Sequence, residues 1–194
     1  MQEKTRSVRE QLTESIEIKK EVLDRLSSKI AELARVLANC LKKGNKIFLC
    51  GNGGSAADAQ HLAAELVVRL RPNHREFPLP AIALSTDTSV LTACANDFGF
   101  ENIFSRQIQA LGKEGDCLIV ISTSGNSENI VLAAKQARKL GLKVIGFLGE
   151  DGGKLARVVD YPFFVPSKNV PRIQEVHITV GHIVLELVED LITK

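Results

Sequence analysis

His61 and Glu65 stand four residues apart, a spacing that sets an imidazole and a carboxylate on one face of a helix. Such a pair can bind a metal ion or move a proton. The helix that carries them follows Cys50-Gly51-Asn52-Gly53-Gly54-Ser55, a glycine-rich turn at the end of the apolar run Lys46–Cys50. A strand, a glycine turn and a helix N-terminus make a site for an anionic ligand, because the first backbone N–H groups of the helix point outward unpaired. One stretch thus offers a binding end and, one to two turns deeper, a chemical end.

A second loop, Ser122-Thr123-Ser124-Gly125-Asn126-Ser127, precedes the apolar helix Ile130–Leu140. Hydroxyls, a glycine free to take positive φ and a helix start can together wrap a phosphate. It contains no Lys, so it is not a Walker-type nucleotide loop. The competing reading makes Ser127 a plain helix cap. Asn96 and Asp97 match the donors and acceptors of sugar hydroxyls, or simply end a helix. Near the C-terminus Gln174 and His182 lie about 80° apart on a helical wheel. If their helix faces that of His61 and Glu65, the four make an N/O set that suits zinc. Glu65 can alternatively shift a proton between adjacent sugar carbons while His182 attends to the oxygens.

The elements that must position these groups follow from periodicity. Residues 1–43 contain no Gly or Pro and show a helical stripe of Val8, Leu12, Ile16, Leu23, Leu26, Ile30, Leu33, Leu37 and Leu41. The stripe skips near Lys19-Lys20-Glu21, where a bend or break is expected, and Gly44 caps its end. The stripe is expected to pack partly on its own domain and partly on a neighbouring subunit. Strands are expected at Lys46–Cys50, Ala81–Leu84, Cys117–Ile121, Val144–Leu148 and Tyr161–Val165. Helices are expected at Ser55–Leu70, Ser89–Ala95, Asn102–Leu111, Ser127–Leu140 and Arg172–Ile192, with a short turn near Gly153–Arg157. Strands without polar residues, alternating with helices, imply a parallel sheet covered on both faces, with its ligand site at the carboxyl ends of the strands. Arg71–Pro78 reads as an exposed loop.

A formal net charge of +2 over 194 residues lends no support to a nucleic-acid footprint. The opening Met-Gln-Glu-Lys-Thr-Arg leads into an amphipathic helix rather than a signal region, and no run of about 18 apolar residues predicts a membrane span. The four cysteines lie far apart without a C-x-x-C pair and read as reduced, structural thiols of a cytoplasmic protein.

The motifs Cys-Gly-Asn-Gly-Gly-Ser with His61 and Glu65 following, Ala95-Asn-Asp-Phe-Gly99, Ile121-Ser-Thr-Ser-Gly-Asn-Ser127 and Arg172-Ile-Gln-Glu-Val-His177 closely resemble those of the bacterial phosphoheptose isomerases, sedoheptulose 7-phosphate isomerases of the sugar-isomerase (SIS) family. The likeness spans nearly the whole chain. It implies a flavodoxin-like five-stranded parallel sheet flanked by helices, with an N-terminal helical extension over 1–44 and the SIS domain over 45–194. It implies conversion of sedoheptulose 7-phosphate to D-glycero-D-manno-heptose 7-phosphate through an enediol, the first step toward the activated heptose of lipopolysaccharide and other surface polysaccharide. A homotetramer with sites between subunits and one zinc per subunit are further implications. At matching positions, Asn52, Gly53, Gly54, Glu65, Asn96, Asp97 and Gln174 contact substrate, and Ser122, Thr123, Ser124 and Ser127 hold the phosphate. His61, Glu65, Gln174 and His182 match zinc positions, and Glu65 and His182 match the acid/base pair. Pro171 departs from the pattern, standing where some members carry an acidic residue. The rival reading is a non-catalytic SIS module that binds sugar phosphate or the replication initiator; retention of both Glu65 and His182 argues for the enzyme. Arg69 and Arg71 are candidates to reach a neighbouring site's phosphate, although loop arginines are more often solvated.

Overall fold

The computed structural model describes residues 2–72 and 74–193. Met1 of the expected extension, Asn73 of the 71–78 connection and the final Lys194 lie outside the described residues. The elements are α1 (Gln2–Lys42), β1 (Ile47–Gly51), α2 (Gly54–Val67), β2 (Ala81–Ala83), α3 (Thr88–Phe98), α4 (Ser105–Leu111), β3 (Cys117–Ser122), α5 (Glu128–Lys139), β4 (Lys143–Leu148), β5 (Tyr161–Phe164) and α6 (Val170–Thr193). Short 3₁₀ turns cover Phe100–Asn102 and Gly153–Arg157.

All strands run parallel in the order β2-β1-β3-β4-β5, the flavodoxin-like arrangement that the resemblance implies. Strand alternation divides the core into two layers. Ile47, Leu49, Cys117, Ile119, Ile145 and Phe147 face α1, α2 and α6, whereas Phe48, Cys50, Leu118, Val120 and Val144 face the layer of α3, α4 and α5. Both layers exclude water from the sheet, so polar side chains collect where the strands end. The four cysteines are free and buried, and burial pushes the Cys50 thiol far above its ordinary range. As packing groups they behave as expected.

Three departures from the sequence expectation each have a local reason. α1 is one unbroken helix through Lys19–Glu21. Lys and Glu are good helix formers, and Glu21 pairs with Arg25 one turn on, so losing one apolar position changes the covered face and not the backbone. The expected helix 102–111 divides at Asn102, whose carbonyl accepts the Ser105 hydroxyl at 3.2 Å where α4 begins. α6 starts at Val170, ahead of Arg172, because Pro171 fits a first helical turn that needs no N–H from it.

The 71–78 connection is a fourth correction. It is a solvated loop only in part: Pro72, Glu76, Phe77 and Pro78 are exposed, but Arg75 is 4% exposed, and Arg71 pairs with Glu189 at 3.1 Å and Asp190 at 2.7 Å on α6. α2 ends early, at Val67 and not Leu70, where the Arg75 guanidinium takes up the Glu65 and Leu66 carbonyls.

The two halves of α1 differ. Leu33, Ala34, Leu37 and Leu41 share the core with α6 and the sheet, while Val8, Leu12, Ile16 and Leu23 remain exposed. Among the described residues no helix is long and apolar enough to cross a membrane.

His177 on α6 is fully buried against Phe147, with Nε2 at 3.3 Å from the Leu148 carbonyl and Nδ1 without a hydrogen-bond partner among the described residues. Burial pulls its pKa from 6.5 down to about 4. The folded state therefore binds this proton less readily than the unfolded chain. Its stability contribution is intact above pH 6.5 and drains away as pH falls toward 4, to a loss of about 3 kcal/mol. Thermal melts from pH 7 to 4 should show His177→Gln, which keeps a donor for Leu148, with a shallower acid limb than wild type. Superimposable acid limbs would remove His177 as the cause.

Candidate active site

The site begins at the point where the sheet order reverses, between the carboxyl ends of β1 and β3. The turn after β1 is a glycine requirement at more than one position. A Cβ on Gly51 would stand 2.4 Å from the Ser55 carbonyl oxygen, and Gly53 takes φ 56°. The first bond of the turn runs from the Ser55 N–H to the Asn52 carbonyl at 3.0 Å. The Asn52 side chain exchanges two 2.9 Å hydrogen bonds with Asn129 on α5. That reciprocal pair ties the glycine turn to the loop after β3. Asn129 is 3% exposed and was not singled out from sequence; its signal is an amide placed among the apolar residues of the inward face of α5.

The loop after β3 is braced before any ligand arrives. The Ser122 hydroxyl accepts the Gly125 N–H at 3.1 Å, and the Ser124 hydroxyl accepts the Asn126 N–H at 3.2 Å. The Gly125 carbonyl accepts the Leu155 N–H at 3.0 Å, and Asn126 Oδ1 accepts the Lys154 N–H at 3.0 Å. Ser127 occupies the cap position of α5, but its side chain makes no capping bond. Its hydroxyl is thus not consumed by the helix. A cavity of about 290 Å³ opens beside the loop, with Thr123, Ser124, Asn126 and Lys168 in its lining.

α2 and α6 lie side by side in the same direction, which brings Gln174 to Gly54 and His182 to His61. A Cβ on Gly54 would meet Gln174 Nε2 at 2.5 Å, and one on Gly181 would meet Leu62 at 2.8 Å. The missing side chains let the helices approach closely, one residue away from both histidines. His61 Nε2 lies 2.8 Å from His182 Nε2, with the rings edge to face, and 3.5 Å from Glu65 Oε1. His61, Glu65 and His182 form a cluster whose ligating atoms all lie within 4.8 Å of one another. Glu65 and His182 are half-buried and His61 is exposed at its edge. The structure brings three of the four expected zinc positions together. Gln174 packs on Gly54, about two turns nearer the glycine turn.

Asp58, one turn before His61, is a further group that sequence reasoning passed over. Its Oδ2 is buried without a hydrogen-bond partner among the described residues. Burial raises its carboxyl pKa, against the opposing pull of His61 and His182. Two imidazoles and a carboxylate within reach of one another are a donor set that fits a zinc-type ion, and Asp58 lies outside that cluster. Asn96 and Asp97 sit exposed at the end of α3 and hydrogen-bond one another at 2.8 Å.

A doubly covered parallel sheet, with a glycine turn and a hydroxyl loop at its switch point, defines an α/β domain of the SIS type. The SIS domain family matches residues 11–149. A phosphoheptose isomerase of Aquifex aeolicus is 54% identical over 92% of this chain and 93% of its own length. One of Clostridium acetobutylicum is 51% identical, covering 92% of this chain and 91% of itself. The structure of a phosphoheptose isomerase from Neisseria gonorrhoeae superposes with a TM-score of 0.90 at 42% identity, over 96% of this chain and 98% of that one. The counterpart from Francisella tularensis gives 0.92 at 38% identity, with the same coverage. The chain belongs to the SIS family and, within it, to the phosphoheptose isomerases.

Proposed function

We propose that this enzyme interconverts sedoheptulose 7-phosphate and D-glycero-D-manno-heptose 7-phosphate, the entry to activated heptose for lipopolysaccharide and related surface polysaccharide. The observation that carries the reading is the cluster of His61, Glu65 and His182 across α2 and α6, on the same domain as a braced hydroxyl loop. Ser122, Thr123, Ser124 and Ser127 hold the phosphate, where the α5 N-terminus adds a favourable dipole. Asn52, Gly53, Gly54, Gln174, Asn96 and Asp97 contact the sugar chain.

In the open-chain ketose, Glu65 takes the proton from C1 and returns it to C2 on the same face, through a cis-enediol. His182 holds and exchanges protons at the O1 and O2 atoms, with His61 beside it at 2.8 Å. His61, Glu65, Gln174 and His182 would hold one zinc per subunit, and the ion when bound supplies electrostatic stabilisation of charge on the sugar oxygens. Glu65 must be free to act as a base at the moment of proton transfer, so its hold on an ion would either loosen during turnover or the ion would serve binding more than chemistry.

The exposed stripe Val8, Leu12, Ile16 and Leu23, and the cavity of about 350 Å³ between α1 and α6, support a homotetramer with sites between subunits. The location we infer is cytoplasmic. The functional test is incubation of the purified protein with sedoheptulose 7-phosphate, alongside elemental analysis of protein prepared without chelator. Formation of an aldoheptose phosphate, with zinc near one equivalent, is the expected result. No aldose, or active protein devoid of zinc and indifferent to added zinc, would overturn the activity or the metal role respectively.

A further inference from the structure

The connection between α2 and β2 contains a side chain for which the proposed chemistry has no use. The Arg75 side chain is 0% exposed and its guanidinium is engaged on every side. Nε donates to Glu189 Oε1 at 3.2 Å, Nη2 donates to the carbonyls of Glu65 at 3.1 Å and Leu66 at 2.9 Å, and Nη1 donates to the Phe77 carbonyl. Glu189 also accepts the Leu70 N–H at 3.3 Å and Arg71 Nε at 3.1 Å. Burial raises the Glu189 carboxyl, yet the donors Arg71, Leu70 and Arg75 outweigh it and hold the group below the usual carboxylate range.

A buried ion pair is weak evidence of stabilisation, because desolvating two charges offsets most of their attraction and apolar residues of similar volume often serve as well. Apolar residues cannot fix direction. The planar guanidinium can, since its donors diverge at set angles. Here those donors address the backbone at Glu65 and a carboxylate on α6. Glu189 lies seven residues, about two turns, beyond His182 on that helix. The reacting cluster is divided between the same two helices, with His61 and Glu65 on α2 and His182 on α6. Gly54–Gln174 and Gly181–Leu62 set the helix spacing at and before the cluster, and Arg75–Glu189 sets it beyond.

We propose that Arg75 and Glu189 are positioning residues that fix Glu65 and His61 relative to His182, an inference that rests on the isomerase reading above. They touch no substrate. The phosphate loop of residues 122–127 stands on β3 and α5, so the clamp governs turnover and leaves substrate binding alone.

The test replaces the pair together, Arg75→Met with Glu189→Leu, and separately makes Arg75→Lys, which keeps the charge beside Glu189 but cannot address both carbonyls as well. Melting temperature, kcat and KM for sedoheptulose 7-phosphate, and the imidazole NMR signals of His61 and His182 in metal-free protein are measured for each. The double variant should melt within a few degrees of wild type, keep its KM and lose between about tenfold and a hundredfold in kcat. The His61 and His182 signals should move while that of His177, held against Leu148 and Phe147, stays; His74 adjoins Arg75 and pairs with Asp190 at 3.1 Å, so its signal moves in either case. Arg75→Lys should show the same kcat loss, and it carries the test alone if the double variant fails to fold. Unchanged kcat and unmoved imidazole signals in a folded variant would overturn the proposal. If wild type itself does not turn over the heptulose phosphate, the isomerase reading fails on its own, and the imidazole signals decide the clamp: movement supports it, immobility overturns it.

Discussion

Glu65→Gln should abolish interconversion while leaving the protein folded. The amide matches the carboxylate in size and keeps a hydrogen-bonding oxygen toward His61, whose Nε2 lies 3.5 Å from Glu65 Oε1. Packing changes little, because the side chain is only half-buried. On the proposed mechanism, what disappears is the capacity to carry a proton from C1 to C2. Positioned acid–base groups are worth roughly 10² to 10⁴ in rate, and with a single group serving both transfers the loss should sit at the upper end of that range. Initial rates with sedoheptulose 7-phosphate, set beside thermal melts, check this. Turnover near wild type in the variant would remove Glu65 as the base and leave it a metal ligand only.

Gly125→Ala should be the most damaging single-methyl change in the phosphate loop. Gly125 takes φ 63°, and an added Cβ would stand 1.9 Å from the Gly152 carbonyl oxygen. The obstacle is backbone, so no side chain can swing aside. The left-handed conformation alone costs about 1–2 kcal/mol for a residue with a Cβ. The clash must then be relieved by parting the loop from residues 152–155, which breaks the Gly125–Leu155 and Asn126–Lys154 hydrogen bonds. A total of roughly 3–4 kcal/mol would lower the melting temperature by about 10 °C in a chain of this size. KM should rise by more than about tenfold as the hydroxyls lose their array. Gly53→Ala is the comparison: φ 56° with ψ −122° also strains a residue with a Cβ, but among the described residues nothing lies within 4 Å of the added Cβ. Its melting temperature should fall by only a few degrees. Equal effects at both positions would show that the contact with Gly152 has no part in bracing the loop.

Much of this site could be read from the chain because its parts are local. A strand, a glycine turn and a helix start occupy consecutive residues, so Cys50–Ser55 and Ser122–Ser127 announce themselves without tertiary information. His61 and Glu65 are paired by helical spacing alone. The pairing of His61 with His182 was conditional on two helices meeting, and Gly181 is the residue that permits it. A glycine inside a helix reads as a weakness from sequence, whereas in the structure it is the place where Leu62 fits. Gln174 was expected with the same cluster, and the parallel run of α2 and α6 sets its amide against Gly54 at the glycine turn.

The illegible parts depend on what sits opposite. Arg71–Pro78 has the composition of a solvated loop, and only the carboxylate of Glu189, more than a hundred residues on, turns Arg75 inward. Glu189 gave no signal of its own, since a glutamate near the end of a helix is ordinary. Asn129 needed Asn52 across the switch point to acquire a role. That α1 runs unbroken through Lys19–Glu21 was illegible for a different reason: helix formation there did not depend on an apolar stripe, and Ile18 and Val22 are buried on either side of the gap.

A hydroxyl loop and a Glu65-centred cluster are proposed to act together on a seven-carbon phosphosugar. The most direct measurement is kcat/KM for sedoheptulose 7-phosphate against ribulose 5-phosphate and fructose 6-phosphate under one set of conditions. With phosphate on 122–127 and the reacting carbons at Glu65, as proposed, a shorter chain should not satisfy both ends at once, so the heptulose should be preferred by roughly a hundredfold or more. Equal or faster turnover of the five- or six-carbon ketose would contradict the account.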